Sequence, residues 1–137
     1  MIELLYFIWN ANPEIISGFP PRWYGLLFAS GFIVGSYIMR WMYKLESRDP
    51  EEVERLTMYM VVSTIIGARV GHCLFYDPVY YLSNPIKILY IWEGGLASHG
   101  AAISIILGML IYSRKVGENF FWVMDRIVIV VLSLIHI

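Results

Sequence analysis

From Trp23 to Met39 the chain carries no charged side chain, and only then does the apolar run meet Arg40. A helix needs about 20 mainly apolar residues to cross the hydrocarbon core of a bilayer. The run WYGLLFASGFIVGSYIMRWMY, residues 23–43, has that length. Further apolar windows follow at 56–76, broken by Arg69 and His72, at 94–113, broken by His99, and from Phe120 onward. Hydrophobic residues make up 58% of the chain and charged ones 15%, with a mean hydropathy of +0.62, far from the balance of a water-soluble domain. Inside a bilayer the backbone must satisfy its own hydrogen bonds, and windows this long do so as helices. The expected fold class is therefore all-α, a polytopic integral membrane helical bundle, with residues 1–131 forming part of a single multi-helix membrane domain.

The segments between the windows carry stop and restart signals. Asp49-Pro50 is expected to end one helix and begin the next, with Asp49 as N-cap of the acidic turn that follows. Asp77-Pro78 and Asn84-Pro85 are turn signals. The stretch IKILYIWEGG after them is too short to span, and its Tyr and Trp suit a segment lying at the membrane interface. Arg40, Lys44, Arg48 and Arg55 flank the first loop, and Arg114 with Lys115 mark the third. The amino-terminal segment has only Arg22, and the second loop only Lys87. Short cytoplasmic loops collect Lys and Arg, so the amino terminus is expected outside. It lacks the basic region and small-residue cleavage site of a removable signal peptide.

Small residues recur at helix-packing spacing: Gly31 and Gly35; Gly67 and Gly71; Gly100, Ser104 and Gly108. Such faces let helix backbones approach closely in lipid, and packing alone accounts for them. The closing hexapeptide LSLIHI, residues 132–137, is what CTG TCT CTT ATA CAC ATC encodes, which looks like the transposon end used in sequencing libraries. It is expected to be an adaptor-derived tail, and His136 is left out of the functional reading.

Several function classes lose their usual signals. The net charge is −1 with no Lys/Arg-rich block, so no nucleic-acid partner is expected. The single cysteine, Cys73, forms no disulfide framework and has no CxxC or His/Cys cluster around it; it reads as a small apolar helix residue, and no metal or other cofactor is expected. GxxxxGKS/T, HExxH and GxSG are absent.

With the amino terminus outside, Tyr24, Arg69, His72, Glu93 and His99 fall at one leaflet although they come from separate helices. An Arg in the apolar region is costly and faces a partner or a wet cavity. Arg69 reads either as a structural ion pair, with Glu93 for instance, or as a guanidinium fork for a phosphate. Arg69 and His72 are three residues apart, so both can face one cleft. His99 reads either as a packed residue bonded to a carbonyl or as a general base, since imidazole accepts protons near neutral pH. Gly94, Gly95 and Gly100 are expected to clear side chains from its surroundings. His72 leans toward a structural role. Tyr24 is by default an interfacial anchor, and Asp125-Arg126 a local ion pair.

The motifs RWYGLLFASGF, GARVGHCLFYDP and WEGGLASHGAAI, taken in this order, resemble the amino-terminal half of the prolipoprotein diacylglyceryl transferase family, from about Arg22 to Val131. The resemblance implies a bacterial inner-membrane, multi-pass enzyme that begins lipoprotein maturation. It would move the diacylglyceryl group of phosphatidylglycerol onto the lipobox cysteine thiol in the signal peptide of a preprolipoprotein, with glycerol phosphate released on the periplasmic side. It implies His99 as the catalytic residue assisting thiol deprotonation and Arg69 as the holder of the lipid phosphate. Tyr24 would line the site, Gly94, Gly95 and Gly100 would shape it, and Asp125 matches an acidic family position. Ser98 stands where the family often has an aromatic residue, and Ala101 where it often has Gly. The family's downstream Arg-x-Gly-Asn block is not in this sequence, so the chain by itself is expected to be inactive. The rival reading is a non-enzymatic transporter subunit or assembly factor that binds an anion through Arg69 and His99.

Overall fold

The computed structural model describes Asn10 and residues 23–135, with side chains described through Ser133. Arg22 and His136 lie outside the described residues. The described chain is helical: α1 (Trp23–Leu45), α2 (Glu52–Tyr76), a short α3 (Pro78–Ser83), two 3-10 turns (Pro85–Leu89 and Ile91–Glu93), α4 (Ser98–Val116) and α5 (Phe120–Ile135).

Local chemistry explains the boundaries. The N-cap position of α2 falls at Glu51, without a side-chain cap, and not at Asp49; Asp49 Oδ1 instead accepts the Glu51 N–H at 2.9 Å and fixes the turn that leads in. Asp77 caps α3 by accepting from the Tyr80 N–H at 3.3 Å, with Pro78 in the first turn. The Asn84-Pro85 signal also precedes the first 3-10 turn, but without a side-chain cap: Asn84 Nδ2 donates back to Tyr80 O at 3.1 Å. The expected interfacial segment is therefore a chain of short helical turns that returns toward α2. Gly117, in the left-handed conformation, closes α4, and the N–H groups of Gly117 and Glu118 both reach Ser113 O at 2.9 and 3.0 Å. Asn119 then caps α5, accepting from the Phe121 N–H at 2.9 Å.

The third apolar window begins at Gly94, but α4 begins at Ser98. Gly94 and Gly95 both take positive φ, and Ala97 is extended, so helix geometry is reached only afterward.

α2 and α4 form the tightest crossing, and small residues make it possible. A Cβ on Gly71 would lie 2.8 Å from Gly100 Cα, and one on Gly67 would lie 2.6 Å from Gly100 O. Gly108 fits against Ser63 in the same way. The Ala97 N–H even donates to Ala68 O of α2 at 2.9 Å, an inter-element main-chain bond that needs this approach. Gly31 and Gly35 differ: they line an apolar pocket of about 190 Å³ with Met39, Met60, Ile127 and Val130.

The buried core lies toward the end where α1 meets the α4–α5 connection, around Tyr43, Val53, Leu56, Tyr112 and Val123. Ion pairs ring this end: Arg126 with Glu46 (2.7 Å), Arg48 with Glu118, and Arg40 with Glu54. The expected Asp125-Arg126 pair is not what forms, because Arg126 turns to Glu46 and to Trp122 O at 3.0 Å. Consecutive helix residues do not face each other.

Large apolar side chains cover the outside, among them Leu27, Ile33, Tyr37, Ile66, Leu74, Ile103 and Ile111. Such a surface would be anomalous in water and is ordinary in hydrocarbon. Among the described residues two helices, α1 and α2, are long and apolar enough to cross a membrane. Four such helices were expected. α4, at 19 residues, carries Arg114 and Lys115 in its last turn, and α5 is described for 16 residues.

Candidate active site

Arg69 sits on α2 with 3% of its surface exposed, and its guanidinium is spent on main chain. Nε donates to Ile88 O at 2.9 Å and Nη2 to Lys87 O at 2.7 Å. Nη1 donates to Gly94 O at 2.5 Å and Gly95 O at 3.2 Å. The ring of Tyr81 lies 5.3 Å from its central carbon, a cation–π contact. The ion pair with Glu93, one of the two readings of Arg69, does not form; Glu93 Oε1 lies 3.9 Å from Lys87 Nζ. The fork that the sequence offered to a phosphate is directed at the carbonyls of the returning segment.

Gly94 and Gly95 explain how those carbonyls arrive. Gly94 has φ 86° and ψ −159°, a region open essentially to glycine. Gly95 has φ 73°, and a Cβ there would lie 2.6 Å from His72 Nε2 and 3.1 Å from Arg69 Nη1. Arg69 and His72 thus share one face of α2, as their spacing predicts, and Gly95 lies over both. Gly100 has another place, in the α2–α4 crossing. Gly94 and Gly95 turn the chain onto α2, and Gly100 docks α4 against it.

His99 is the second residue of α4, exposed, in a first turn without a side-chain cap. Its ring meets Phe75 edge-on at 5.1 Å and lies 6.2 Å from Tyr76. Tyr76 in turn stacks on His72 at 5.0 Å, so this tyrosine stands between the two imidazoles. Below His99 the seam between α2 and α4 opens into an apolar groove of about 240 Å³ lined by Val70, Leu74, Phe75, Ile103 and Leu107. An imidazole touching one wall of an apolar groove can serve a substrate with a polar reacting end and a greasy body.

Two residues expected at the site stand elsewhere. Tyr24 is 69% exposed and stacks on Phe28 at 5.9 Å. Among the described residues no hydrogen bond or ring contact joins it to Arg69, His72 or His99. Asp125 is exposed in the second turn of α5, beside the Arg126–Glu46 pair, at the opposite end of α4 from His99. A helix of 19 residues separates its ends by about 28 Å. Cys73 is buried and free, consistent with its reading as a packing residue. The residues that sequence reasoning missed are Phe75, Tyr76 and Tyr81. Their positions in CLFYDPVYY look like interfacial aromatics; the i,i+4 spacing of His72 and Tyr76 on α2 was a readable signal, whereas Phe75 meets His99 only through the docking of α4, and Tyr81 reaches His72 only through the turn into α3.

The sequence profile of the family described as prolipoprotein diacylglyceryl transferase matches residues 13–136. A protein of Tolumonas auensis named phosphatidylglycerol–prolipoprotein diacylglyceryl transferase is 46% identical over 124 residues, covering 88% of this chain and 48% of the relative. Proteins of the same name from Porphyromonas gingivalis (48% identity, 90% of this chain, 45% of the relative) and Chloroherpeton thalassium (42%, 89% and 47%) match similarly. The chain spans about half the length of these curated relatives. A profile match over nearly the whole chain, with relatives this similar, shows that the chain belongs to the prolipoprotein diacylglyceryl transferase family.

Proposed function

We propose that the protein to which this chain belongs transfers the diacylglyceryl group of phosphatidylglycerol to the lipobox cysteine of preprolipoproteins, with His99 as proton acceptor. The observation that carries the reading is the exposed His99 imidazole set against Phe75, a side chain that lines the apolar α2–α4 groove. The names of the relatives supply the substrates.

The cysteine S–H proton passes to the imidazole, and the thiolate sulfur bonds to the glyceryl carbon. The carbon–oxygen bond to phosphate breaks, and glycerol phosphate leaves with the electron pair. No cofactor takes part. Lowering the barrier to thiol deprotonation is ordinary general-base work, worth about 10²–10⁴-fold. Phe75 and Tyr76 hold the ring at the groove, where an acyl chain lies along Leu74, Ile103 and Leu107.

In this reading α1 has its amino-terminal end outside, and the ion-pair end of the bundle is cytoplasmic, in keeping with the Lys and Arg of its loops. The site then faces the periplasmic side of the bacterial plasma membrane, where lipid and secreted substrate meet. The test is the full-length protein in detergent with phosphatidylglycerol and a lipobox peptide, following glycerol phosphate release. Release by the wild type and its loss in His99→Ala are expected. Full activity of the alanine variant removes His99 from the chemistry.

A further inference from the structure

We infer that Arg69 is a positioning residue, a main-chain clamp that sets where His99 stands, and that it is not a ligand of the lipid phosphate; the catalytic half of this statement rests on the function proposed above.

Two neighbouring residues of α2 anchor the segment that runs from the first 3-10 turn to α4. Arg69 holds the carbonyls of Lys87, Ile88, Gly94 and Gly95, and Ala68 O accepts the Ala97 N–H. His99 follows two residues after the second anchor. A guanidinium buried among carbonyls is satisfied without a carboxylate because its donors are planar and spread over a fixed fork. The carbonyls are available because 3-10 turns and the positive-φ glycines point them inward instead of into a helix. Gly95, lacking a Cβ, lets the segment lie flat on His72, and Tyr81 covers the guanidinium from α3. Every acceptor is main chain, so the clamp reads the path of residues 87–95 and not their side chains. A phosphate would have to compete for a fork already directed at four carbonyls.

The two roles separate on substitution. Lysine keeps a point charge that binds phosphate, but it cannot reproduce a planar fork. In the full-length, lipid-free protein, Arg69→Lys is expected to speed amide hydrogen exchange over residues 87–97 by at least about tenfold, with the α2–α4 crossing beyond Gly100 unchanged. With phosphatidylglycerol and lipobox peptide, the same variant is expected to lose about 100-fold in kcat while KM for the lipid stays within about twofold, the signature of a displaced catalytic group. Gly94→Ala, which displaces an acceptor and leaves the cation in place, should accelerate exchange over the same residues, and it serves if Arg69→Lys does not fold. Wild-type exchange in either folded variant overturns the clamp, and so does a rise of about tenfold or more in KM for the lipid with kcat kept. A wild-type protein without transfer activity would sink the transferase reading alone, since the exchange comparison needs no lipid.

Discussion

Gly95 carries two demands at once, a positive φ of 73° and room for the His72 ring 2.6 Å from where a Cβ would lie. The backbone demand alone is worth about 1–3 kcal/mol for any other residue. Gly95→Ala is therefore expected to lower the melting temperature of the full-length protein, and adding His72→Ala should recover part of the loss, because it removes the collision and leaves the strain. No recovery in the double variant would mean that His72 does not bear on Gly95. Arg69 shows why some of this was hidden in the sequence. The letter R at 69 inside an apolar window announces a buried partner, and its sharing of a face with His72 follows from their spacing. Its partners are carbonyls, which every residue has, so no letter in the sequence marks them. Arg126 teaches the same lesson: its acidic neighbour Asp125 is the obvious partner on paper, whereas Glu46, 80 residues away, is the one within reach across the bundle.

Between elements, the α2–α4 seam was legible in advance. The run Gly67, Gly71 on one window and Gly100, Ser104, Gly108 on another is a packing code in lipid, and the two sets do meet. What the code does not say is which small-residue face pairs with which, and Gly31 with Gly35 line a pocket instead. Gly100→Val should thus force α2 and α4 apart, at about 1–3 kcal/mol for overpacking and more if the Ala97–Ala68 bond is lost. Gly25→Ala, with nothing within 4 Å of the added methyl, should be close to neutral. Thermal unfolding of the two variants side by side reads the difference, and equal melting temperatures would deny the seam. The start of α4 was harder to read, since hydropathy begins at Gly94 while helical geometry waits until two left-handed residues have passed.

Over the molecule as a whole, the bundle is fastened at one end by ion pairs and closed at the other by main-chain bonds around Arg69. The Arg126–Glu46 pair is bidentate but partly exposed, so a double-mutant cycle should give a coupling of about 1 kcal/mol or less, shrinking with added salt. Orientation has its own check: an impermeant thiol reagent added to intact cells of a cysteine-free background should label a cysteine at Tyr90 and spare one at Ser47. The reverse pattern would put His99 in the cytoplasm and end the proposed chemistry. The membrane class and the gathering of Arg69, His72 and His99 at one end of the bundle were readable from hydropathy and spacing. The separation of Tyr24 and Asp125 from them was not, because it depends on how far each helix runs before it packs.

The acceptors of Arg69 all lie 18 to 26 positions later in the chain. As the ribosome releases α2, therefore, a cation has to enter the translocon while its acceptors are still inside the ribosome, at about 2.5–3.5 kcal/mol if it reached the bilayer midplane. α2 made alone should therefore sit shallow or slip, and settle at its final depth only once Lys87 to Gly95 have emerged and folded back. The order of synthesis is thereby written into the site: the longest helix of the bundle is the one that must wait for its successor.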